Sequence, residues 1–315
     1  MQKRAPSGGT PEAMTGSRRS VLSGLAAAVA LAPLGLAACD RKAKPVEKAE
    51  APAPTAPAGP PEGSLEWAVQ GPWRAADRPR DQWRHPMETL RFFGLQPNMT
   101  VVDFWPGSGW YTEILAPYLA RGGGTYYAAG FSTGPGADAA QASLMANYET
   151  RFTADKKLYG DIKFSAFGPS SGEVAPPGTA DLVLFMRNLN AWMATGIAEK
   201  AFGDAFEALR PGGVLGIEQH RLAPDEDQDP AAANGYVQEA FVKQLAAEAG
   251  FVFVASSEIN ANATDTKDHP FGVGTLPPQS LTAPQGQAPD PTFDRSKYDA
   301  IGESDRMTLK FRKPE

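Results

Sequence analysis

Residues 101–115 read Val-Val-Asp-Phe-Trp-Pro-Gly-Ser-Gly-Trp-Tyr-Thr-Glu-Ile-Leu, and this stretch restricts the fold more than any other. A short apolar run closes on an acid, Asp103. A tight turn carrying Gly107 and Gly109 follows, and a helical pattern starts behind it. Strand, glycine turn and helix in that order let an α/β fold aim backbone N–H groups at a ligand from a helix N-terminus.

The remaining pattern agrees with an alternation of strands and helices. Helices are expected over Pro86–Leu95, Thr112–Arg121, Glu199–Leu209 and Tyr236–Ala249, each with apolar residues three and four apart. Pro117 should kink the second of these. Strands are expected over Val101–Phe104, Thr125–Ala129, Ile162–Phe167, Asp181–Met186, Val214–Glu218, Phe251–Ala255 and Met307–Phe311. Arg210-Pro211-Gly212-Gly213 reads as the turn into the fifth strand. Residues 260–305, rich in Pro, Asp and Gly, form an insertion of a length that is either functional or disordered. The sum is a doubly wound, mostly parallel seven-stranded sheet with its last strand antiparallel, over residues 64–315.

The first 63 residues do not read as core. Arg18-Arg19 precede an apolar run from Leu25 to Ala38 that Pro33 interrupts, and small residues then lead to Cys39, the only cysteine. This resembles a bacterial twin-arginine signal joined to a lipoprotein cleavage box. The resemblance implies cleavage before Cys39, lipidation of its sulfur, and a location on the periplasmic side of a membrane, held by the lipid anchor alone. The alternative is a short N-terminal membrane anchor. Residues 40–63 are Ala, Pro, Lys and Glu, a composition that buries too little apolar surface to fold and reads as a tether.

Charge narrows the partners. The chain carries a net charge of −6. Removal of residues 1–38 takes away Lys3, Arg4, Arg18 and Arg19 against Glu12 and leaves the remainder more negative still. That is a poor balance for nucleic-acid binding, which rests on neutralising phosphates. A single cysteine excludes a disulfide framework within the chain. No metal is expected, and a small-molecule substrate is the expected partner.

The order of elements resembles the class I S-adenosylmethionine-dependent methyltransferases. More narrowly, it resembles a family of bacterial exported predicted methyltransferases. The segments that carry the narrower resemblance are Arg84–Leu90, Phe92–Leu95, Trp105-Pro106-Gly107-Ser108-Gly109-Trp110-Tyr111, Phe185–Asn188, Glu218–Arg221 and Glu303–Arg306. The resemblance implies S-adenosyl-L-methionine as cofactor, with Asp103, Gly107 and Gly109 on its methionine part. It also draws Trp105, Ser108, Trp110, Tyr111 and Asn188 into the cofactor site. The chain departs from the pattern in three places. Trp105 replaces the first loop glycine, Ala128-Ala129-Gly130 stands where an acid ordinarily grips the ribose, and Ala166-Phe167-Gly168 offers adenine no polar contact.

Methyl transfer needs positioning, often with a base, and the groups should follow strands four and five. Asn188 and Asn190 are either ligand contacts or caps. His220, with Glu218 beside it, is either a base or a structural hydrogen-bond partner. Trp105, Trp110 and Tyr111 either wall a sulfonium or an adenine or are core. His269 beside Asp265 and Asp268 reads as a solvated loop rather than a metal site, and His85 as packing or capping near the first helix. Gly107-Ser108-Gly109 is not the Gly-x-Ser-x-Gly elbow of a hydrolase, and a nicotinamide enzyme would need the missing acid after strand two. Two readings remain: a methyltransferase of unknown acceptor, or a non-catalytic binding lipoprotein on the same scaffold.

Overall fold

The computed structural model describes residues 59–134 and 137–315. The signal and Cys39, and most of the tether, lie outside the described residues. Glu62, near the tether's end, already pairs with Arg121 Nε at 2.8 Å.

Helices α1 (Leu65–Gln70), α2 (Asp81–Arg84) and α3 (Pro86–Phe93) precede β1 (Thr100–Phe104). Then come α4 (Thr112–Gly122), β2 (Thr125–Gly130), α5 (Ala139–Thr153), α6 (Lys156–Tyr159), β3 (Lys163–Ala166) and β4 (Ala180–Met186). The chain continues through α7 (Leu189–Ala194), α8 (Ala198–Ala208), β5 (Leu209–His220), α9 (Glu239–Glu248) and β6 (Val252–Ser257), and closes with α10 (Ser296–Ile301) and β7 (Arg306–Arg312). The strands form one sheet in the order β3-β2-β1-β4-β5-β7-β6. β1 to β5 pair in parallel, and β7 runs antiparallel between β5 and β6. This is the expected doubly wound, mostly parallel seven-stranded sheet with its last strand antiparallel.

Alternation along the central strands divides the core between two faces. Val102, Phe104, Val183 and Phe185 point to one side, with Trp192 and Phe202 of α7 and α8. Val101, Leu182 and Leu184 point to the other, with Leu90, Phe93, Ile114 and Leu119 of α3 and α4. Burial on both faces is why β4 is apolar at nearly every position.

Four expectations are corrected. The Pro-Gly-Gly segment lies inside β5 as an irregularity rather than ahead of the strand: β5 begins at Leu209, its pairing with β4 resumes only at Val214, and Gly212 N donates to Lys313 O at 3.0 Å. The helix expected from Tyr236 starts at Glu239, because Val237 instead bonds His220 O at 2.9 Å and extends the edge of β5. Helix α5 was not expected. It buries only Met145, Tyr148 and Phe152, too thin an apolar stripe to stand out in the sequence.

The fourth concerns the insertion, which is folded and in part buried. Asn260 donates to Thr89 and Thr308 hydroxyls at 2.9 and 3.0 Å. His269, expected in a solvated loop, is buried, with Nε2 2.7 Å from Asp265 Oδ1. Tyr236 and Asp305 N also reach that carboxylate. Among the described residues no three His, Cys, Asp or Glu side chains are grouped to hold a metal ion.

Helix α4 runs through Pro117. Pro117 has no N–H for the Glu113 carbonyl one turn back. Trp73 Nε1 donates to that carbonyl at 2.8 Å, so the orphaned acceptor is satisfied from outside the helix.

Candidate functional site

A cavity of about 390 Å³ opens beyond the carboxyl ends of β1, β4 and β5 and is roofed by Val273 and Leu276–Gln279 of the insertion. Ligands in doubly wound sheets sit at this edge because the loops diverge there. The cavity takes in Asp103, Trp105, Gly107, Ser108, Trp110, Tyr111, Asn188 and His220 of the residues expected from sequence. Gly109 and Glu218 are not among its lining residues.

The glycine turn divides its labour. Gly107 sits at φ +61 with open space where a Cβ would be, so a ligand has room against the backbone. Gly109 sits at φ +96, and a Cβ there would lie 2.2 Å from the Phe152 ring. Gly109 therefore serves the packing of α5 on the loop and does not touch the cavity. Two other lining residues, Trp105 and Arg187, hold φ values of +47 and +64 without being glycine. Such backbone persists only where neighbours fix it. Trp105 N bonds Ala129 O at 2.8 Å, and Arg187 N bonds Glu218 O at 2.7 Å. Asn188 ties the two loops together, donating from Nδ2 to Phe104 O at 2.9 Å and Trp105 O at 3.1 Å.

Asp103 is buried at the end of β1. Tyr126 donates to its Oδ2 at 3.0 Å, while Oδ1 has no partner among the described residues. Burial raises its carboxyl to about 7, against the opposing pull of Tyr126 and of the Arg187 charge.

A network of charges lies beside Asp103. Glu218 is fully buried. Its two oxygens meet Arg187 Nη1 at 3.0 Å each, Arg306 Nη1 at 3.2 Å and the Tyr111 hydroxyl at 3.1 Å. With its acceptors engaged, Glu218 is an anchor for arginines rather than a base. Glu303 does the same, meeting Arg80 at 3.0 Å, Arg84 at 2.8 Å and Arg306 at 2.9 Å. Against its burial, the charges of Arg84, Arg306 and Arg187 hold the Glu303 carboxyl down to about 2. Burial first, and then the charge of Arg187, press Arg84 down to about 9.

The aromatic residues of the loop serve this network. Arg74 and Arg84 stand over the Trp110 ring at 5.0 and 4.9 Å, and Arg187 over Tyr111 at 5.8 Å. The cations that Trp110 and Tyr111 hold are the protein's own. His220 Nδ1 lies 2.6 Å from Ser304 Oγ. Burial, then the charges of Arg306 and Arg187, keep its pKa well below 6.5, so the ring is neutral at pH 7. His85 is a linker between α2 and α3, its Nδ1 3.3 Å from Asn260 Oδ1.

The β2 and β3 side of the edge is closed. Trp105 packs on Phe131 at 4.4 Å and on Phe167 at 6.0 Å, and donates from Nε1 to Phe167 O at 2.9 Å. A Cβ at Gly130 would meet Met145 at 2.3 Å. Among the described residues, β2 ends in Ala128-Ala129-Gly130 without a carboxylate.

Arg80, Arg84, Arg187, Glu303, Ser304 and Arg306 had no role assigned from sequence. The available signal was charge at the margins of apolar strands, Arg187 after β4 and Glu303–Arg306 before β7. Only the sheet order makes those margins neighbours.

No family model matches the chain, and no curated protein matches it. Among solved structures it is similar to a SAM dependent methyltransferase from Aquifex aeolicus, at 19% identity over 60% of this chain and 90% of that one, TM-score 0.45. It is also similar to the cyclase SpnF, at 15% identity over 73% and 80%, TM-score 0.46. A third is the N-methyltransferase NodS from Bradyrhizobium japonicum WM9, at 17% over 76% and 99%, TM-score 0.43.

Proposed function

We propose that this chain is an S-adenosylmethionine-dependent methyltransferase acting on a small molecule. The observation that carries the reading is Asp103 Oδ1, a buried carboxylate oxygen without a partner at the cavity, beside the open backbone of Gly107. A buried unpaired acceptor is costly and calls for a donor from outside the chain. In this reading Asp103 takes the cofactor's α-ammonium and the Gly107 backbone lies against its methionine arm. The bound cofactor supplies an electrophilic methyl group. His220 lines the cavity as an unprotonated imidazole, a weak base because burial and the charges of Arg306 and Arg187 disfavour its protonated form, and Asn188 holds the two loops in place.

One observation favours the second reading, a non-catalytic binding protein on this scaffold. The ribose acid is missing and the Trp105, Phe131 and Phe167 rings fill the β2 and β3 side. Calorimetric titration of the purified protein with S-adenosylmethionine and S-adenosylhomocysteine separates the two. The first reading expects saturable binding that Gly107→Arg abolishes. No heat and no thermal shift at millimolar ligand would leave the second.

We further propose that the protein is exported and tethered at the periplasmic side of a membrane through lipid on Cys39, with the narrower resemblance to exported predicted methyltransferases as support. Cys39→Ser should move the protein from the membrane to the soluble fraction, and unchanged fractionation would refute lipidation.

A further inference from the structure

The carboxylates and guanidiniums at the cavity are unequally satisfied. Glu218 and Glu303 have both oxygens engaged. Of the arginines lining the cavity, Arg80 and Arg84 each use only Nε, on Glu303, and Arg187 only Nη1, on Glu218. Among the described residues, their other side-chain nitrogens have no hydrogen-bond partner. These arginines come from three places, the turn at Arg78–Arg80, α2 and the end of β4, and are held in one place by two buried acids.

Counter-charge is short. Arg80, Arg84, Arg187 and Arg306 face Glu218 and Glu303, and the third acid, Asp103, is only partly ionised at neutral pH. Arg74, which shares the Trp110 ring, is matched by Asp81 at 2.8 Å. Burial and then the charges of Arg306 and Arg187 keep His220 unprotonated, and burial and then the charge of Arg187 press Arg84 down. A guanidinium fixed at one nitrogen presents a pre-oriented fork that matches a carboxylate or phosphate in two-point contact.

We propose that this cavity binds an oxyanion, a carboxylate or phosphate, carried by the methyl acceptor and held by the free guanidinium nitrogens of Arg80, Arg84 and Arg187. The site takes in α2 and the end of β4 beside His220 and Ser304, and Arg187 also acts on Asp103, whose unpartnered oxygen lies at the end of β1 in the same cavity. The assignment to an acceptor rests on the methyltransferase reading above. Binding of an oxyanion does not.

The test uses the purified protein in low-salt buffer at pH 7.5, with inorganic phosphate and malonate as probes. Melting temperature and intrinsic tryptophan fluorescence, to which Trp110 beneath Arg84 contributes, report binding. Saturable binding of at least one probe is expected, weakened about tenfold in Arg80→Gln, since loss of a charged contact is worth that much. Arg80 is 28% exposed and Glu303 keeps two other arginines, so this variant should fold. Arg187→Lys keeps a cation for Glu218, removes the fork, and should weaken binding similarly. No saturable response to either probe, or unchanged affinity in both variants, would overturn the site. A repeat at saturating S-adenosylhomocysteine tests the occupant. Undiminished binding assigns the site to the acceptor, and mutual exclusion overturns that assignment in favour of the cofactor's own carboxylate. If S-adenosylhomocysteine does not bind at all while the anion does, the methyltransferase reading falls and the oxyanion site stands.

Discussion

Arg187 Nη1 lies 3.0 Å from each carboxylate oxygen of Glu218, and the backbone of the same arginine is bonded to Glu218 O at 2.7 Å. A buried pair of this kind contributes little when intact and costs much when halved, because the remaining charge has no water to turn to. Glu218→Gln should destabilise the fold by about 3–5 kcal/mol. Urea denaturation with an unchanged slope and a lowered midpoint is the expected record; an unaltered midpoint would show that the pair does not anchor the site.

Asp103 makes stability depend on pH. Its folded pKa, about 7, lies above the ordinary 3.8, so folding favours the protonated form. The penalty grows as pH rises from about 4 to 7 and is constant above. Asp103→Asn keeps an acceptor for Tyr126 and should gain roughly 2–4 kcal/mol over the wild type at pH 8 and nothing at pH 4. The difference between the two stability curves measures this. If Asp103 takes an ammonium group, cofactor binding near pH 6.5 should also release protons, seen as a dependence of calorimetric heat on the buffer.

His220 acts in the opposite direction. Its folded pKa is depressed, so its stabilising effect is present above 6.5 and lost as pH falls below that value. His220→Gln should flatten the acid side of the stability profile. A profile as steep as that of the wild type would mean that other groups titrate there.

Gly107 and Gly109 should separate under mutation to alanine. Both lie at positive φ, which costs a Cβ-bearing residue about 1–2 kcal/mol. Only Gly109→Ala adds a clash with Phe152, so its total cost should exceed about 3 kcal/mol. Gly107→Ala should melt only a few degrees low and lose ligand affinity instead.

Trp73 and Pro117 should be coupled. Trp73→Phe should cost about 1 kcal/mol by freeing the Glu113 carbonyl. In a Pro117→Ala background, residue 117 regains an N–H for that carbonyl, and the cost of Trp73→Phe should shrink. A double-mutant cycle with no coupling would separate the two residues.

Local pattern was enough for the sheet. The apolar runs of β1 and β4, the glycine turn at 107–109 and the helical spacing in α3, α4 and α8 each state their own conformation, because periodicity and turn chemistry are properties of neighbouring residues. Sequence also located the cavity, at the end of β1, and named Asp103, Gly107, Asn188 and His220 as its residues. It also named Gly109 and Glu218, which lie outside the cavity lining, Gly109 against the Phe152 ring and Glu218 against Arg187, Arg306 and Tyr111. It missed α5, whose buried face is three residues wide.

The charged cluster belongs to tertiary structure alone. Arg84 and Glu303 are 219 residues apart, and Arg187 and Arg306 meet only because β7 inserts beside β5 and brings Glu303 to the end of β4. The insertion, legible only as a long polar stretch, becomes a roof for the same reason. Which acids anchor, which nitrogens remain free and which residue lacks a proton depend on distances and burial across the sheet edge, and these come into existence only when the strands assemble in that order.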